Sequence, residues 1–512
     1  MKKTALMLVL ALLAVMLAPA ALAANNTCGT NVTWQYISSS RTLMITCNGE
    51  EGVMNDYNNS DGAPWYNQRN NIDNVVMTGQ MTYIGKYNFV GLKANFSLPD
   101  SVKQISTYAF ITSTLKTFNM PRLLESIGAS SFESCTFDQG IAIPEGVTTI
   151  PYRAFYSSKA PSLTLPVTLK TIDNYAFTFL NGPTEIELPE GLESVGSYAF
   201  DGCKSLTEIT IPATVTTCSD GVFSACSVLE AIHVASDNAV LRDEDGILFD
   251  KTGTKLIVYP AGRTSESYAV SSHVKQLGNG AFSGNIHLRS VSLPDGITVL
   301  SSGAFTACTG LTHIDLPGKL TTIGKSAFAN CPSLTELEIP HGVTELGEQA
   351  FSNSGIMRLV VPETVTSFGK YLFMQTSPYL EHPAGLTLSV VAGSAAHDYA
   401  KANGIAVEYH APFGHADLIL PADLEIVERS AFEGTDATIV YLPDGVTSIG
   451  GRAFAACPNL KHVYIPDSIP EGSIADSAFD DNSGLYLYGS EGGYAQSYAA
   501  SHDSITFIPL DP

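Results

Sequence analysis

Six of the nine cysteines recur at one position of a repeated pattern, and thiols are side chains suited to metal binding and nucleophilic chemistry. Each of the six lies three residues after a phenylalanine. They are Cys135, Cys203, Cys226, Cys308, Cys331 and Cys457. A metal site needs several ligands that converge on one point, whereas a repeated position supplies one thiol per repeat. We therefore predict that these cysteines pack as small buried side chains, and that the protein holds no metal and no cofactor.

Two other groups of residues could bind a metal, and each has a simpler interpretation. His410, His415 and Asp417 are the closest grouping of histidines with an acid, for which a linker between blocks is the favoured interpretation. The run Asp243-Glu-Asp245 lacks the remaining ligands of a calcium loop, which favours a solvated turn. No G-x-S-x-G, H-E-x-x-H or P-loop pattern occurs in the sequence. We predict that the protein is not an enzyme.

Charge and composition narrow the class of partner. The 512 residues include 27 Lys and Arg against 50 Asp and Glu, which gives a formal net charge of −23. Such a chain repels phosphate, so nucleic acid and anionic lipid surfaces are poor partners. Hydrophobic residues make up 45% of the chain, which is enough for a core and excludes general disorder.

The N-terminus has the pattern of a secretory signal peptide, which we assign to residues 1–23. Lys2 and Lys3 precede an apolar run that is short for a membrane span, and Ala21-Leu22-Ala23 is a cleavage pattern. A membrane anchor is the less favoured alternative. We predict a secreted or cell-surface protein with no integral membrane segment after cleavage. Export would allow a disulfide between Cys28 and Cys47, which lie outside the repeated cysteine position.

Most of the chain is an internal repeat with a period of about 23 residues. Residues 203–225, 308–330 and 331–352 share the pattern C-x-x-L-x-x-I-x-I-P-x-x-V-x-x-I-G-x-x-A-F. Fifteen units can be counted by their phenylalanines, which are spaced by 21 to 25 residues except at two gaps of 59. Self-similarity at a fixed period is the mark of a repeat architecture.

The types of residue in one unit predict how the chain winds. Ile209 and Ile211 alternate as in a half-buried strand, and Pro212 ends that strand because it lacks a backbone N–H. Val215 and Cys218 then turn the chain inward, and a phenylalanine such as Phe328 fills the far side of the coil. A single unit buries too little apolar surface to fold alone, so units must stack. The predicted fold is an α/β repeat, a solenoid of stacked units of about 23 residues with parallel strands, capped at both ends.

Departures from the repeat suggest the domain organisation. An N-terminal cap covers residues 24–80, and a first solenoid covers 81–383, with a hairpin insertion at 236–270 centred on a Lys251-Thr-Gly-Thr turn. Two segments have the pattern of a strand, a short helix and a strand. These segments define a cap or junction at 384–411 and a C-terminal cap at 484–512, with a short second repeat block at 412–483 between them.

The unit resembles the BspA-like leucine-rich repeat. The start CGTNVTW, the insertion at residues 238–260 and the G-S…Y-A segments are also similar to accessory segments of that family. The resemblance implies a leucine-rich-repeat solenoid in a secreted or surface protein of bacteria or parasitic protists. It further implies adhesion to host or neighbouring-cell proteins and no enzymatic activity.

The strand residues that point away from the core are the candidate ligand-binding face. With Ile209 and Ile211 inward, the same register exposes an acidic and hydroxyl-bearing strip in the first solenoid and a more aromatic one in the second block. An ordinary solvated surface is the alternative for the whole set. The set is Glu185, Glu187, Glu208, Thr210, His313, Asp315, Glu336, Glu338, Tyr441, His462 and Tyr464.

These features together predict an exported, non-enzymatic protein-binding or adhesion protein. Its partner would be an extracellular protein or glycan that contacts the strand face. Two alternatives remain open: a secreted enzyme-accessory domain, and a structural cell-wall or self-assembling protein.

Overall fold

The computed structural model describes residues 26–376, 379–391, 394–409, 417–421 and 424–510. The predicted signal peptide and the residues His410 and His415 lie outside these ranges. The chain divides into two compact units, Met1–Ser219 and Asp220–Pro512. Each unit is built of stacked coils with parallel strands, which confirms the predicted solenoid.

Each regular coil contains two short strands, a proline turn and a phenylalanine turn. In one coil of the second unit, His313–Asp315 forms the first strand and Thr322–Ile323 the second. Between them, the carbonyl oxygen of Pro317 accepts a hydrogen bond of 3.0 Å from the N–H of Leu320. Proline thus ends the first strand and opens a turn, as predicted. The second strand replaces what the sequence pattern indicated only as a turn.

Stacking of the first strands and of the second strands produces two ladders in the first unit. The first ladder contains Asn74–Thr78, Lys93–Ser97, Thr114–Thr117, Thr136–Phe137, Ile141–Ala142, Leu163–Thr164 and Glu208–Ile211. The second ladder contains Met81–Ile84, Gln104–Ile105, Ser126–Ile127, Thr149–Ile150, Thr171–Ile172, Ser194–Val195 and Thr217–Cys218.

The N-terminal segment extends both ladders at once. Its strands are Thr27–Thr30, Val32–Ile37, Thr42–Cys47 and Gly52–Met54. The third of these pairs in parallel with the first ladder, and the fourth with the second ladder. A 3₁₀ helix, Tyr66–Asn71, follows them. Trp65 is buried and stacks on Phe89 at 5.8 Å, so this segment covers the first coil.

The second unit repeats the same arrangement around an insertion. Ala231–Val234 precedes the insertion, whose strands are Leu241–Glu244, Ile247–Asp250 and Lys255–Val258. The predicted hairpin forms between the last two. Lys255–Val258 also pairs with the second ladder, and Tyr259 stacks on Phe282 at 5.3 Å. The inserted segment therefore supplies a coil of its own, with tyrosine in the place of phenylalanine.

The remaining strands of the second unit fall into two blocks. In the first block, the first ladder contains Ser267–Ala269, Ser290–Ser292, His313–Asp315, Glu336–Glu338, Arg358–Val361, Thr387–Val390 and Ala406–Tyr409. Its second ladder adds Gln276–Leu277, Val299–Leu300, Thr322–Ile323, Glu345–Leu346 and Ser367–Phe368, and Gln375–Thr376 pairs with Tyr379–Leu380. The second block contains Asp417–Ile419, Ile439–Tyr441, His462–Tyr464, Leu485–Ser490 and Ile505–Leu510, with Ile426–Val427 and Ser448–Ile449 as its second ladder.

Helix is scarce in the described residues and lies outside the repeats. The α-helices Ala395–Ala402 and Tyr494–Ala500 each connect two parallel strands, as the strand, helix and strand pattern predicted. Ser394 begins the first helix by accepting a hydrogen bond from the N–H of His397, an N-cap contact. The buried face of the second helix, including Tyr498, packs against the last coil, where Tyr498 meets Phe479 edge-on at 5.9 Å.

The phenylalanines form continuous stacks inside each unit. Phe305, Phe328 and Phe351 are buried, with ring centroids 5.5 and 5.8 Å apart and planes within 7° of parallel. The N–H of Phe328 also donates to the carbonyl oxygen of Ala350 in the next coil at 2.8 Å. Adjacent coils are thus joined through both ring contact and backbone hydrogen bonds. This alignment confirms the predicted shared interior.

The repeated cysteine has a second role beside filling space. The thiol of Cys331 donates to the carbonyl oxygen of Phe305 in the preceding coil at 3.0 Å, and Cys308 does the same to Phe282 at 3.1 Å. Where the sequence has another residue at this position, the hydroxyl of Ser158 or the amide of Asn482 makes the equivalent bond. Cysteine, serine and asparagine share a short polar donor, which explains their exchange.

Cys28 and Cys47 do not form the disulfide suggested above, because both are buried free thiols. Gly29 pairs with Val32, and Val32 pairs with Cys47, so the strand Val32–Ile37 lies between the two cysteine-bearing strands. Two strand spacings amount to about 9.6 Å. That separation exceeds the roughly 7 Å between Cα atoms that a disulfide can span.

The buried thiols should make the fold sensitive to alkali. Burial raises the pKa of Cys28, Cys135 and Cys331 from 9.0 to about 12. Above about pH 9 the unfolded chain loses these protons while the folded chain keeps them, so the free energy of unfolding falls as pH rises. Below that pH both states hold the protons, and these thiols add no pH dependence.

We expect the urea midpoint to be flat from about pH 7 to pH 8.5 and to fall between about pH 9 and pH 11. Each of the three thiols contributes a slope of about 1.4 kcal/mol per pH unit. Circular dichroism at a series of pH values measures this, and the variant Cys331→Ala should show a shallower slope. A midpoint that stays constant to about pH 11 would contradict the assignment of these thiols as protonated core groups.

Candidate ligand-binding face

The acidic residues of the predicted face are exposed in the first unit. Glu185, Glu187, Glu208 and Thr210 all point to solvent, while Ile209 between them is buried. Glu185 and Glu208 are paired in parallel register in neighbouring coils. Their side chains therefore point outward side by side. In the described part of this unit no lysine or arginine forms a salt bridge with them. The result is a small surface of uncompensated negative charge.

In the second unit the predicted acids are exposed, but a cation that sequence reasoning missed neutralises one of them. Arg358 is the register partner of Glu336. Its guanidinium donates to the carboxylates of Glu336 and, at 3.0 Å, of Glu408. These hydrogen bonds, first that to Glu408 and then that to Glu336, raise the pKa of Arg358. Glu338 lies opposite Val360, so the negative strip is interrupted here.

The signal for Arg358 was present in the repeat register. In the coil whose first strand ends before Pro362, Arg358 occupies the outward position that Glu336 occupies one coil earlier. His313 also has a polar neighbour on its own strand, since its Nε2 lies 2.8 Å from an oxygen of Asp315. Outward side chains of this unit thus contact one another both along and across the strands.

The expectation of an exposed aromatic strip in the second block is wrong at Tyr464, which is only 7% exposed. Tyr464 is sandwiched between Tyr441 and Tyr488, with ring centroids 4.4 and 4.5 Å away. Tyr441 and His462 are half-buried, and the Nδ1 of His462 lies 2.7 Å from the hydroxyl oxygen of Tyr488. Stacking across strands buries Tyr464, whereas Tyr486, the register partner of His462, is 38% exposed.

Exposed aromatic side chains also occur on the phenylalanine turns of the first unit. Tyr152 and Phe179 are 47% and 41% exposed. Tyr175 meets Tyr152 edge-on at 5.9 Å and stacks on Tyr198 at 5.4 Å. Tyr175 and Tyr198 lie two residues before a buried phenylalanine, a regularity in the sequence that could have identified this surface.

The groups considered as metal sites have other roles where they are described. Asp243 lies on the strand Leu241–Glu244, where its carboxylate accepts a hydrogen bond from the N–H of Val234, and Asp245 lies in the turn that follows and pairs with Arg263 at 2.6 Å. In the described ranges, no three His, Cys, Asp or Glu side chains gather closely enough to hold a metal ion. Nor does any helix in the described part of the chain have the length and apolar character that crossing a bilayer requires.

The sequence model for the BspA type leucine rich repeat region matches residues 64–182, 148–261, 259–379 and 414–488. No curated protein matches the chain. Among solved structures, a leucine rich cell surface protein from Faecalibacterium prausnitzii A2-165 is 20% identical with a TM-score of 0.47, covering 77% of this chain and 96% of that one. A leucine-rich repeat protein from Eubacterium ventriosum is 22% identical with a TM-score of 0.36, covering 89% and 94%. One from Bacteroides ovatus is 20% identical with a TM-score of 0.33, covering 94% and 99%.

Proposed function

This chain belongs to the BspA type leucine rich repeat family, and from that premise we propose that it is an exported, non-enzymatic adhesion protein. It would bind an extracellular protein or glycan through the outward face of its first-strand ladder. Membership of this family is consistent with a protein-binding role, because repeat proteins present extended surfaces to partners.

The single observation that carries the proposal is the acidic group Glu185, Glu187 and Glu208. These three carboxylates lie in two neighbouring coils and are exposed. No lysine or arginine forms a salt bridge with them among the described residues of their unit. Like charges held side by side cost stability, and no structural contact in the described part of the unit compensates them. A partner with a cationic surface would provide that compensation and would be attracted over a distance.

The charge of the whole chain supports a basic protein as partner, and the N-terminal pattern supports export. At −23, the chain repels nucleic acid and anionic membranes. The apolar start and cleavage pattern of residues 1–23 support export.

Two of the buried thiols are unsuited to nucleophilic catalysis. Burial raises the pKa of Cys135 and of Cys331 to about 12, and nucleophilic chemistry needs the thiolate. At neutral pH these groups are protonated and enclosed in the core, where their hydrogen bonds join adjacent coils.

The proposal predicts that removing the acidic pair weakens binding. The chain from residue 24 onward is first screened against immobilised matrix proteins and glycans, and the partner that it captures is then titrated. We expect the double variant Glu185→Gln and Glu208→Gln to lower the affinity about tenfold, because complementary charges across an interface are lost. The fold should be unchanged, since both side chains are exposed.

The matched control is Glu125→Gln with Glu193→Gln, which changes the net charge equally on the second ladder. These acids pair with Lys103 and Lys170 on the surface, and such pairs contribute only about 0–1 kcal/mol. We expect the control to bind like the unchanged chain. Capture of no saturable partner, or equal weakening by both pairs of substitutions, would overturn the proposal.

A further inference from the structure

A basic recess lies in the first unit of this acidic protein. Its volume is about 280 Å³. It is lined by Arg69, Asn70, Ile72, Asp73, Gly91, Lys93 and Lys116. Three of the 27 cationic residues of the chain therefore meet in one small opening, whereas acids outnumber cations almost two to one overall.

Two of these cations are not used in the fold. Lys93 and Lys116 are exposed, and no acid in the described part of this unit forms a salt bridge with either of them. The acid of the recess, Asp73, already pairs with Arg41 at 3.0 Å. The recess thus has positive charge that its own residues do not neutralise.

Different elements bring the cations together. Lys93 begins the strand Lys93–Ser97 and is the register partner of Thr114, while Lys116 lies at the register shift of the next strand. Arg69 comes from the 3₁₀ helix, where its guanidinium lies over the Tyr66 ring at 3.9 Å and donates to the Tyr66 carbonyl oxygen at 3.1 Å. Tyr66 therefore fixes the guanidinium at the recess.

Gly91 lines the recess without a side chain. This glycine has a φ of +68°, and a Cβ atom placed there would meet only the hydroxyl of Thr112, at 3.8 Å. A side chain at this position would project into otherwise free space and would be strained by the left-handed backbone. Gly91 therefore adds no side-chain atoms to the lining of the recess.

We propose that this recess binds the carboxylate of a terminal acidic sugar on a glycan. Charge-assisted hydrogen bonds from Arg69, Lys93 and Lys116 would hold the carboxylate. The amide of Asn70 and the carboxylate of Asp73, which also line the recess, would meet sugar hydroxyls. The net charge of −23 repels a polyanion, which favours a ligand with one anionic group.

A sugar fits the lining better than a peptide does. Peptide segments gain most of their affinity from apolar or aromatic anchors in pockets. The apolar residue of the recess, Ile72, is only 1% exposed, so it offers no such pocket. The acidic sugar would thus bind at the first-strand ladder, to which Lys93 belongs. The proposal rests on the proposed function only in the assumption that this surface binds ligands.

The experiment titrates the chain from residue 24 onward with 3′-sialyllactose and with lactose, using ligand-observed NMR and calorimetry at low salt. We expect saturable binding of sialyllactose, about tenfold tighter than that of lactose and weaker as salt is added. The double variant Lys93→Gln and Lys116→Gln should lose about tenfold in affinity for sialyllactose.

The matched control is Lys103→Gln with Lys170→Gln, which removes two lysines that pair with Glu125 and Glu193 elsewhere in the unit. Its affinity should stay within about twofold of the unchanged chain. Equal binding of lactose, equal weakening by the control, or tighter binding of a heparin decasaccharide or a glutamate peptide would each overturn the proposal. Protein capture that still depends on Glu185 and Glu208 would then show that the proposed function survives without it.

Discussion

Replacing Phe328 with alanine is expected to lower the free energy of unfolding by about 3–5 kcal/mol. The ring is fully buried and is stacked between Phe305 and Phe351 at 5.5 and 5.8 Å. Its removal leaves a cavity in a stack that joins successive coils, and it also loses two aromatic contacts of about 0.5–1.5 kcal/mol each. Urea denaturation followed by circular dichroism measures the loss.

Tyr371→Ala is the control for Phe328→Ala, because it removes an aromatic ring that is 59% exposed. We expect the control to change the free energy of unfolding by less than about 0.5 kcal/mol. Because each coil contacts only its neighbours, limited proteolysis of Phe328→Ala should cut first within residues 308–352. Equal stability of the two variants would show that the phenylalanine stack does not hold the coils together.

The second large effect concerns Gly347, where an added methyl group would separate two coils. A Cβ atom there would lie 2.5 Å from the backbone nitrogen of Lys325 and 2.6 Å from the carbonyl carbon of Gly324. Both are backbone atoms of the preceding coil, so they cannot move aside cheaply. We expect Gly347→Ala to lower the free energy of unfolding by about 1–3 kcal/mol, and Gly347→Val to lower it further.

Gly318→Ala makes the same chemical change where there is room. No atom lies within 4 Å of a Cβ placed at Gly318, which follows Pro317 in an exposed turn. Alanine restricts the unfolded chain, so this variant should be neutral or slightly more stable, by up to about 1 kcal/mol. Thermal melts of both variants provide the comparison. A Gly347→Ala protein as stable as Gly318→Ala would contradict the close approach of the coils.

The sequence was sufficient to predict the stacked coils because each repeated residue acts through a simple local rule. Alternation of Ile209 and Ile211 predicts a strand, a following proline ends it, and a buried phenylalanine recurs once per coil. The second ladder was not predicted, since strands of two residues such as Thr322–Ile323 have no detectable periodicity. Their pairing depends on neighbouring coils, which a single unit does not reveal.

The turns around each phenylalanine also escaped prediction. Ser326 and Asn330, two residues before and after Phe328, have φ values of 54° and 58°. Left-handed backbone is normally indicated by glycine, but here most coils use other residues. The stacked coils impose this conformation on them, so composition gives no signal.

The sequence correctly predicts that the acidic residues of the candidate face are exposed. It does not predict that Tyr464 is buried. Strand alternation is enough to place Glu208 outside and Ile209 inside. Whether an outward side chain stays accessible depends on its neighbours across the strands. Tyr464 is enclosed by Tyr441 and Tyr488 on the two neighbouring strands. Arg358 neutralises Glu336 because the two residues are also on neighbouring strands.

Carboxyl footprinting of the chain, free and saturated with its captured partner, tests the strand face most directly. Carbodiimide-driven labelling reports how accessible each Asp and Glu is, residue by residue. We expect partner binding to protect Glu185, Glu187 and Glu208 while labelling of Glu125 and Glu193 on the second ladder stays unchanged. Protection of Glu125 and Glu193, with Glu185 and Glu208 labelled as in the free chain, would contradict a ligand-binding role for the first-strand face.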